Sequence, residues 1–266
     1  MATPRLEFRA VTKRFGNRNA ANGQDPVITA VEDVSLALAD GEVVSLIGPS
    51  GCGKSTLLNL GSGLDRPNAG TVLVDGEPVD GPNSHVAFML QKDLLLPWRT
   101  IRDNVELGQE IQGIAKENRR AVALGLIDKY HLSEFANAYP HQLSGGMRQR
   151  AALARTMAMD PDVLLLDEPF SALDAQTKMV LQTDLARTLK DEGKTAFLIT
   201  HDLVEAVALS DRVLVMSARP GRIIEEIVVE MPEREKPIAR RSHAKMSDYI
   251  ARLMSLLHIG DDLEAA

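Results

Sequence analysis

The sequence predicts an α/β protein: a largely parallel sheet, an antiparallel β edge and an inserted helical lobe. Three observations predict it. Short runs rich in valine, isoleucine and leucine alternate with helical stretches, the pattern of βαβ units. One such run, residues 42–47, ends in a glycine cluster and is followed at once by helix formers at 54–60. Between about Thr100 and Met159 the pattern changes. Apolar residues recur every three or four positions there, as at Ala121, Leu124, Leu126 and Ile127, with Glu, Lys and Arg between them.

Taken in order, residues 6–11 alternate and predict a short strand, and residues 16–25 form a polar, turn-rich loop between two edge strands. Residues 42–47 predict a buried strand, and 72–74 and 86–89 two more. The β pattern returns at 163–166, 195–200 and 213–216. A charged segment at 233–245 precedes an amphipathic helix near 247–257. These readings compose one domain over 1–266: a core lobe at about 5–92 and 155–225, a helical lobe at about 93–154, and a C-terminal helical tail at about 230–266. Leu60-Gly-Ser-Gly63 predicts loose packing after the helix at 54–60.

Composition narrows the function. The 266 residues are 44% apolar and 25% charged, as in ordinary globular domains. Lys plus Arg number 30 against 37 Asp plus Glu, a net charge of −7, which argues against nucleic acid as a partner. No apolar run approaches the roughly 18 residues of a membrane span, and residues 1–8 lack a signal-peptide core. A membrane role is therefore expected to be peripheral. The one cysteine, Cys52, forms no internal disulfide, which suits a reducing compartment.

Gly48-Pro49-Ser50-Gly51-Cys52-Gly53-Lys54-Ser55 matches the phosphate loop, with the required strand before it and helix after it. Glycines let successive N–H groups point at phosphate oxygens, and the helix N-terminus adds positive charge. Lys54 is expected at the β/γ-phosphates and the Ser55 hydroxyl on Mg²⁺. The run from Val163 to Leu166 delivers two acids, Asp167 and Glu168, to the carboxyl edge of the sheet, where α/β folds bind ligands. Asp167 is read as a Mg²⁺ holder and Glu168 as the base that polarises water, a role worth about 10²–10⁴ in rate. A third strand, 195–200, ends in His201, read as a γ-phosphate contact.

With Leu143-Ser144-Gly145-Gly146-Met147-Arg148-Gln149-Arg150 the chain resembles the ATP-binding subunits of ABC transporters, over residues 6–222. The resemblance implies an ABC-type ATPase core within the P-loop NTPases. It makes Phe15 the aromatic that stacks on adenine, and adds Thr56 to the ATP site. Gln91 becomes the glutamine that senses Mg²⁺ and the membrane partner. Ser171-Ala-Leu-Asp174 becomes the loop that crosses a dimer interface, and His201 the switch histidine. It implies a dimer, of identical or pseudo-symmetric ATPase subunits, that sandwiches ATP between the phosphate loop of one chain and Ser144, Gly145 and Gly146 of the other. Ser144, Gly146 and Asp174 then lie at the interface.

A permease, a solute-binding protein and a place on the cytoplasmic face of the cell membrane are implied with it. Gln91-Lys-Asp-Leu-Leu-Leu-Pro-Trp98-Arg99-Thr100 and Ser217-Ala-Arg-Pro-Gly-Arg222 look like the nitrate, sulfonate and taurine importer subgroup, though relatives with this pattern serve other solutes, thiamine precursors among them. A DNA-repair or chromosome ATPase is disfavoured, because the stretch from Thr56 to Ser144 is too short for its long coiled coils and lacks sustained heptads. A catalytically silent subunit is disfavoured by the presence of both Glu168 and His201.

Overall fold

The computed structural model describes residues 3–16 and 27–259; most of the expected 16–25 loop lies outside them. The chain opens with β1 (Leu6–Phe15), β2 (Ile28–Leu38), β3 (Val43–Ile47) and α1 (Lys54–Gly61), then β4 (Ala69–Val74), β5 (Glu77–Pro78) and β6 (Val86–Met89). Four α-helices follow: α2 (Ile101–Val105), α3 (Leu107–Ile111), α4 (Lys116–Lys129) and α5 (Gly145–Met157), with two short 3-10 turns between the last two. Strands and helices then alternate through β7 (Val163–Asp167), α6 (Ala175–Asp191), β8 (Thr195–Ile199), α7 (Leu203–Leu209) and β9 (Arg212–Met216). The described chain closes with β10 (Ile223–Val228), α8 (Pro237–Arg241) and α9 (Met246–Leu256).

Two sheets result. The larger has the order β10-β9-β3-β8-β7-β6, with only β10 antiparallel to its neighbour; the smaller, β2-β1-β4-β5, is antiparallel throughout. The expected α/β fold is therefore observed. Every residue of β3, β7 and β8 is buried, because helices or the second sheet cover both faces. That is why these strands read as unbroken apolar runs. Leu57, Leu58 and Leu60 of α1 fill the space between the sheets with Phe8, Val72, Leu165 and Phe197, while Ile101, Ala123, Ile127 and Leu153 of the helical stretch pack toward Leu164 and Leu166 on the opposite face.

Three expectations need correction. β1 runs four residues past Val11, because bulges near Ala10 (φ 49°) and Thr12 shift the register and break the alternation that marks a strand. β10 occupies 223–228, a stretch for which no element was expected, because Ile223-Ile-Glu-Glu-Ile-Val228 lacks strict alternation. The glycines after α1 do not loosen the packing: a Cβ on Gly63 would lie 2.3 Å from the backbone of Gly81, so two chain segments meet there as closely as backbone allows. Among the described residues no helix is long and apolar enough to cross a membrane.

Candidate functional site

Parallel register brings the chemistry to one edge. Leu46 and Asp167 both pair with Ile199, so β3, β7 and β8 end level with one another. The residues that follow are Gly48, Glu168 and the Thr200-His201 turn. Of these, Gly48, Glu168 and His201 border a cleft of about 600 Å³.

The phosphate loop leaves β3 through Gly48, where a Cβ would come within 2.9 Å of Met216. It enters α1 through Gly53, whose φ of 107° only glycine adopts without strain. No side chain caps α1 and no acid sits in its first turn. Its free N–H groups are thus left to attract an anion. Lys54 Nζ donates to the carbonyls of Gly48 (2.7 Å) and Pro49 (2.9 Å), and so is held at the loop's mouth.

The two acids differ in setting. Asp167 is only 6% exposed and accepts a bond from the Ser55 hydroxyl. Burial pushes its carboxyl above the ordinary carboxylate range, with the Glu168 charge adding to the push, while Ser55 and Lys54 oppose it. A buried carboxylate with a hydroxyl beside it is a hard-oxygen donor set short of positive charge, which fits Mg²⁺. Glu168 turns outward instead. Its φ is 49°, a left-handed backbone costing about 1–2 kcal/mol in a residue with a Cβ. Bonds on both sides of the peptide enforce it: its N–H donates to Ile199 O (3.0 Å), and its carbonyl accepts from Gln149 Nε2 (3.3 Å) and Ser171 Oγ (3.0 Å). The side chain then meets two partners. Glu168 Oε2 accepts from Gln91 Nε2 at 3.0 Å and lies 3.4 Å from His201 Nδ1.

Of the expected ATP-binding residues, Phe15, Gly48, Ser50, Gly51, Gly53, Lys54, Ser55, Thr56 and Gln91 line the cleft, together with Asp167, Glu168 and His201. Phe15 is half exposed at the rim, with Lys13 Nζ 5.2 Å from its ring centre. Pro49 contributes a carbonyl to Lys54, and the buried Cys52 offers its Sγ to Lys54 Nζ at 3.8 Å. The sequence reading missed Arg219, which lines the cleft and donates from Nε (3.1 Å) and Nη2 (2.9 Å) to Gly51 O. Its segment, 217–222, was read as a subgroup mark and not as part of the site.

Ser144, Gly145, Gly146 and Asp174 stand outside the cleft of their own chain and close to one another. Ser144 Oγ caps α5 by accepting from Met147 N (3.3 Å), and Asp174 caps α6 by accepting from Thr177 N (3.0 Å). A Cβ on Gly146 would lie 3.0 Å from Leu173, so the two turns abut.

The chain is similar to known proteins in sequence and in fold. Residues 31–171 match the ABC transporter family. An uncharacterised ABC transporter ATP-binding protein of Methanocaldococcus jannaschii is 43% identical over 95% of this chain and 91% of its own. The taurine import ATP-binding protein TauB of Yersinia pestis is 46% identical over 77% of this chain and 80% of its own. Among solved structures, the ATP-binding cassette MJ0796, a dimer in a post-hydrolysis state with ADP and Pi, superposes with a TM-score of 0.76 at 32% identity, covering 85% of this chain and 99% of that one. Matched over more than half its length by the family and over nearly all of it by a relative, the chain belongs to the ABC transporters, as an ATP-binding subunit that hydrolyses ATP to drive transport.

Proposed function

We propose that the chain powers import of a small solute of the nitrate, sulfonate or taurine type through a separate membrane permease. The observation that carries this reading is the 46% identity to a taurine import ATP-binding protein. The Gln91–Thr100 and Ser217–Arg222 segments, already similar to that subgroup, support it. The working unit is a dimer of ATPase chains, seated on the permease at the cytoplasmic face of the membrane and served by a solute-binding protein. Leu94 (53% exposed) and Trp98 (71% exposed), on the segment after Gln91, are apolar surface suited to a permease helix.

In this reading the N–H groups at the start of α1 and Lys54 bind the phosphates, and Phe15 stacks on the base. Ser55, Asp167 and Gln91 would hold Mg²⁺, which when bound neutralises charge on the phosphate oxygens. Glu168 accepts the proton of the attacking water, and its left-handed backbone and its bond to Gln91 fix where that carboxylate stands. His201, beside it, contacts the γ-phosphate. Ser144, Gly145 and Gly146 of a second copy close over the same phosphates, and Asp174 crosses with them.

The test is to purify the chain with its native membrane partners and measure ATP turnover as solutes are added. Stimulation by taurine, an alkanesulfonate or nitrate, together with a co-purifying solute-binding protein, is the expected result. Stimulation by a cationic or pyrimidine solute alone would overturn the solute class.

A further inference from the structure

We infer that Lys178 is a positioning residue for ATP hydrolysis, tying the turn that carries His201 to the helix that begins at Asp174. The inference rests on the reading of His201 and Asp174 given above. The geometry is a short chain of bonds between α6 and α7. Lys178 Nζ donates to Asp202 Oδ2 at 2.8 Å and reaches Glu205 Oε2 at 2.7 Å. Asp202 is the residue after His201. Its second oxygen accepts from Glu205 N at 3.0 Å and caps α7, while its own N–H donates to Thr200 Oγ1 at 3.1 Å. Both carboxylate oxygens of Asp202 are thereby engaged, one by its own helix and one by α6.

The other end of the tie is equally placed. Lys178 N donates to Asp174 O at 2.9 Å, so the lysine stands one helical turn from the residue expected to cross the dimer interface. Glu205 is 2% exposed and takes a further bond from Gln182 Nε2 at 2.8 Å. Gln182 Oε1 in turn accepts from Arg241 Nη2 of α8 at 2.8 Å, which anchors the tie from behind. Burial works against the Lys178 charge, but the bonds to Asp202 and Glu205 hold its pKa above that of an ordinary lysine.

The physical consequence is directional. His201 itself is 67% exposed, with Glu168 Oε2 3.4 Å from its Nδ1, so its position depends on the backbone turn below it. That turn is braced across to α6 by Lys178. A displacement of Asp174 on dimer closure is carried by one rigid helical turn and a charge-assisted pair to the histidine beside Glu168.

The experiment uses the purified full-length chain, reading MgATP affinity, kcat, KM and melting temperature. Lys178→Met should lower kcat by roughly tenfold to a hundredfold, the scale of a misplaced reacting group, and change nucleotide affinity by no more than about twofold. Lys178→Arg, which keeps the charge and can bridge both acids, should restore most of kcat. Because Lys178→Met strands the buried Glu205 carboxylate, a double variant, Lys178→Met with Glu205→Gln, removes that charge. It should regain the melting temperature yet stay slow, since Asp202 remains unbraced. If the double variant recovers kcat together with stability, or if Lys178→Met turns over at the parental rate, the inference is overturned. His201→Ala separates the two levels: a slow His201→Ala beside a fast Lys178→Met refutes the tie alone, whereas a fast His201→Ala refutes the reading of the histidine on which it rests.

Discussion

Gly221 sits where the turn between β9 and β10 touches the back of the phosphate loop, and a single methyl there should be felt at the nucleotide. A Cβ on Gly221 would lie 2.0 Å from Cys52 O and 2.3 Å from Met216 Cε. Met216 can swing aside. The Cys52 carbonyl cannot, because it is phosphate-loop backbone, and the turn cannot retreat. Gly221 N donates to Ala30 O at 2.9 Å, and Gly221 O accepts from Glu32 N at 3.0 Å. Overpacking of this kind costs about 1–3 kcal/mol. At roughly 2–4 °C per kcal/mol for a chain near this size, Gly221→Ala should lower the melting temperature by about 2–12 °C.

The displaced loop should also weaken MgATP binding by about tenfold, so ligand-induced stabilisation shrinks by about 1.4 kcal/mol at fixed nucleotide. Thermal melts with and without MgATP read both effects, and the deficit should be larger with nucleotide. An equal deficit in the two conditions would show that the clash is relieved away from the phosphate loop, and the reasoning fails. Gly125→Ala is the matched control. Nothing lies within 4 Å of a Cβ there, on the exposed face of α4, so the same substitution should stabilise by about 1 kcal/mol.

Other expectations concern the chemistry. Glu168→Gln keeps the shape of the side chain but removes its basicity, so turnover should fall about 10²-fold or more with nucleotide affinity retained; a parental rate would move the base elsewhere. Asp167→Asn should weaken the Mg²⁺ dependence of nucleotide binding, measured by titration with and without the cation. Ser144→Arg, made in a Glu168→Gln background, should leave ATP binding by the single chain nearly intact yet abolish ATP-dependent dimerisation in light scattering. Equal dimer mass with and without the arginine would remove Ser144 from the interface.

Much of this protein was legible in one dimension because its signals are local. The phosphate loop is contiguous, and the buried strands β3, β7 and β8 announce themselves as unbroken apolar runs, since both faces of the sheet are covered. Asp167 ends β7 and Glu168 follows it, and His201 lies two residues beyond β8. Tertiary structure alone decided what depends on register and on contacts far apart in the chain. It set β6, β7 and β8 side by side in register, which is why Gln91, Glu168 and His201 meet. It also turned Glu168 outward through a left-handed backbone held by Ile199, Gln149 and Ser171, a conformation that no local preference of glutamate favours. β10 and the far half of β1 were hidden for a related reason: edge strands and bulges do not keep the alternation that a one-dimensional pattern requires. Arg219 joined the cleft and Lys178 the histidine turn through folding alone, because each finds its partner at a distance that sequence spacing does not encode.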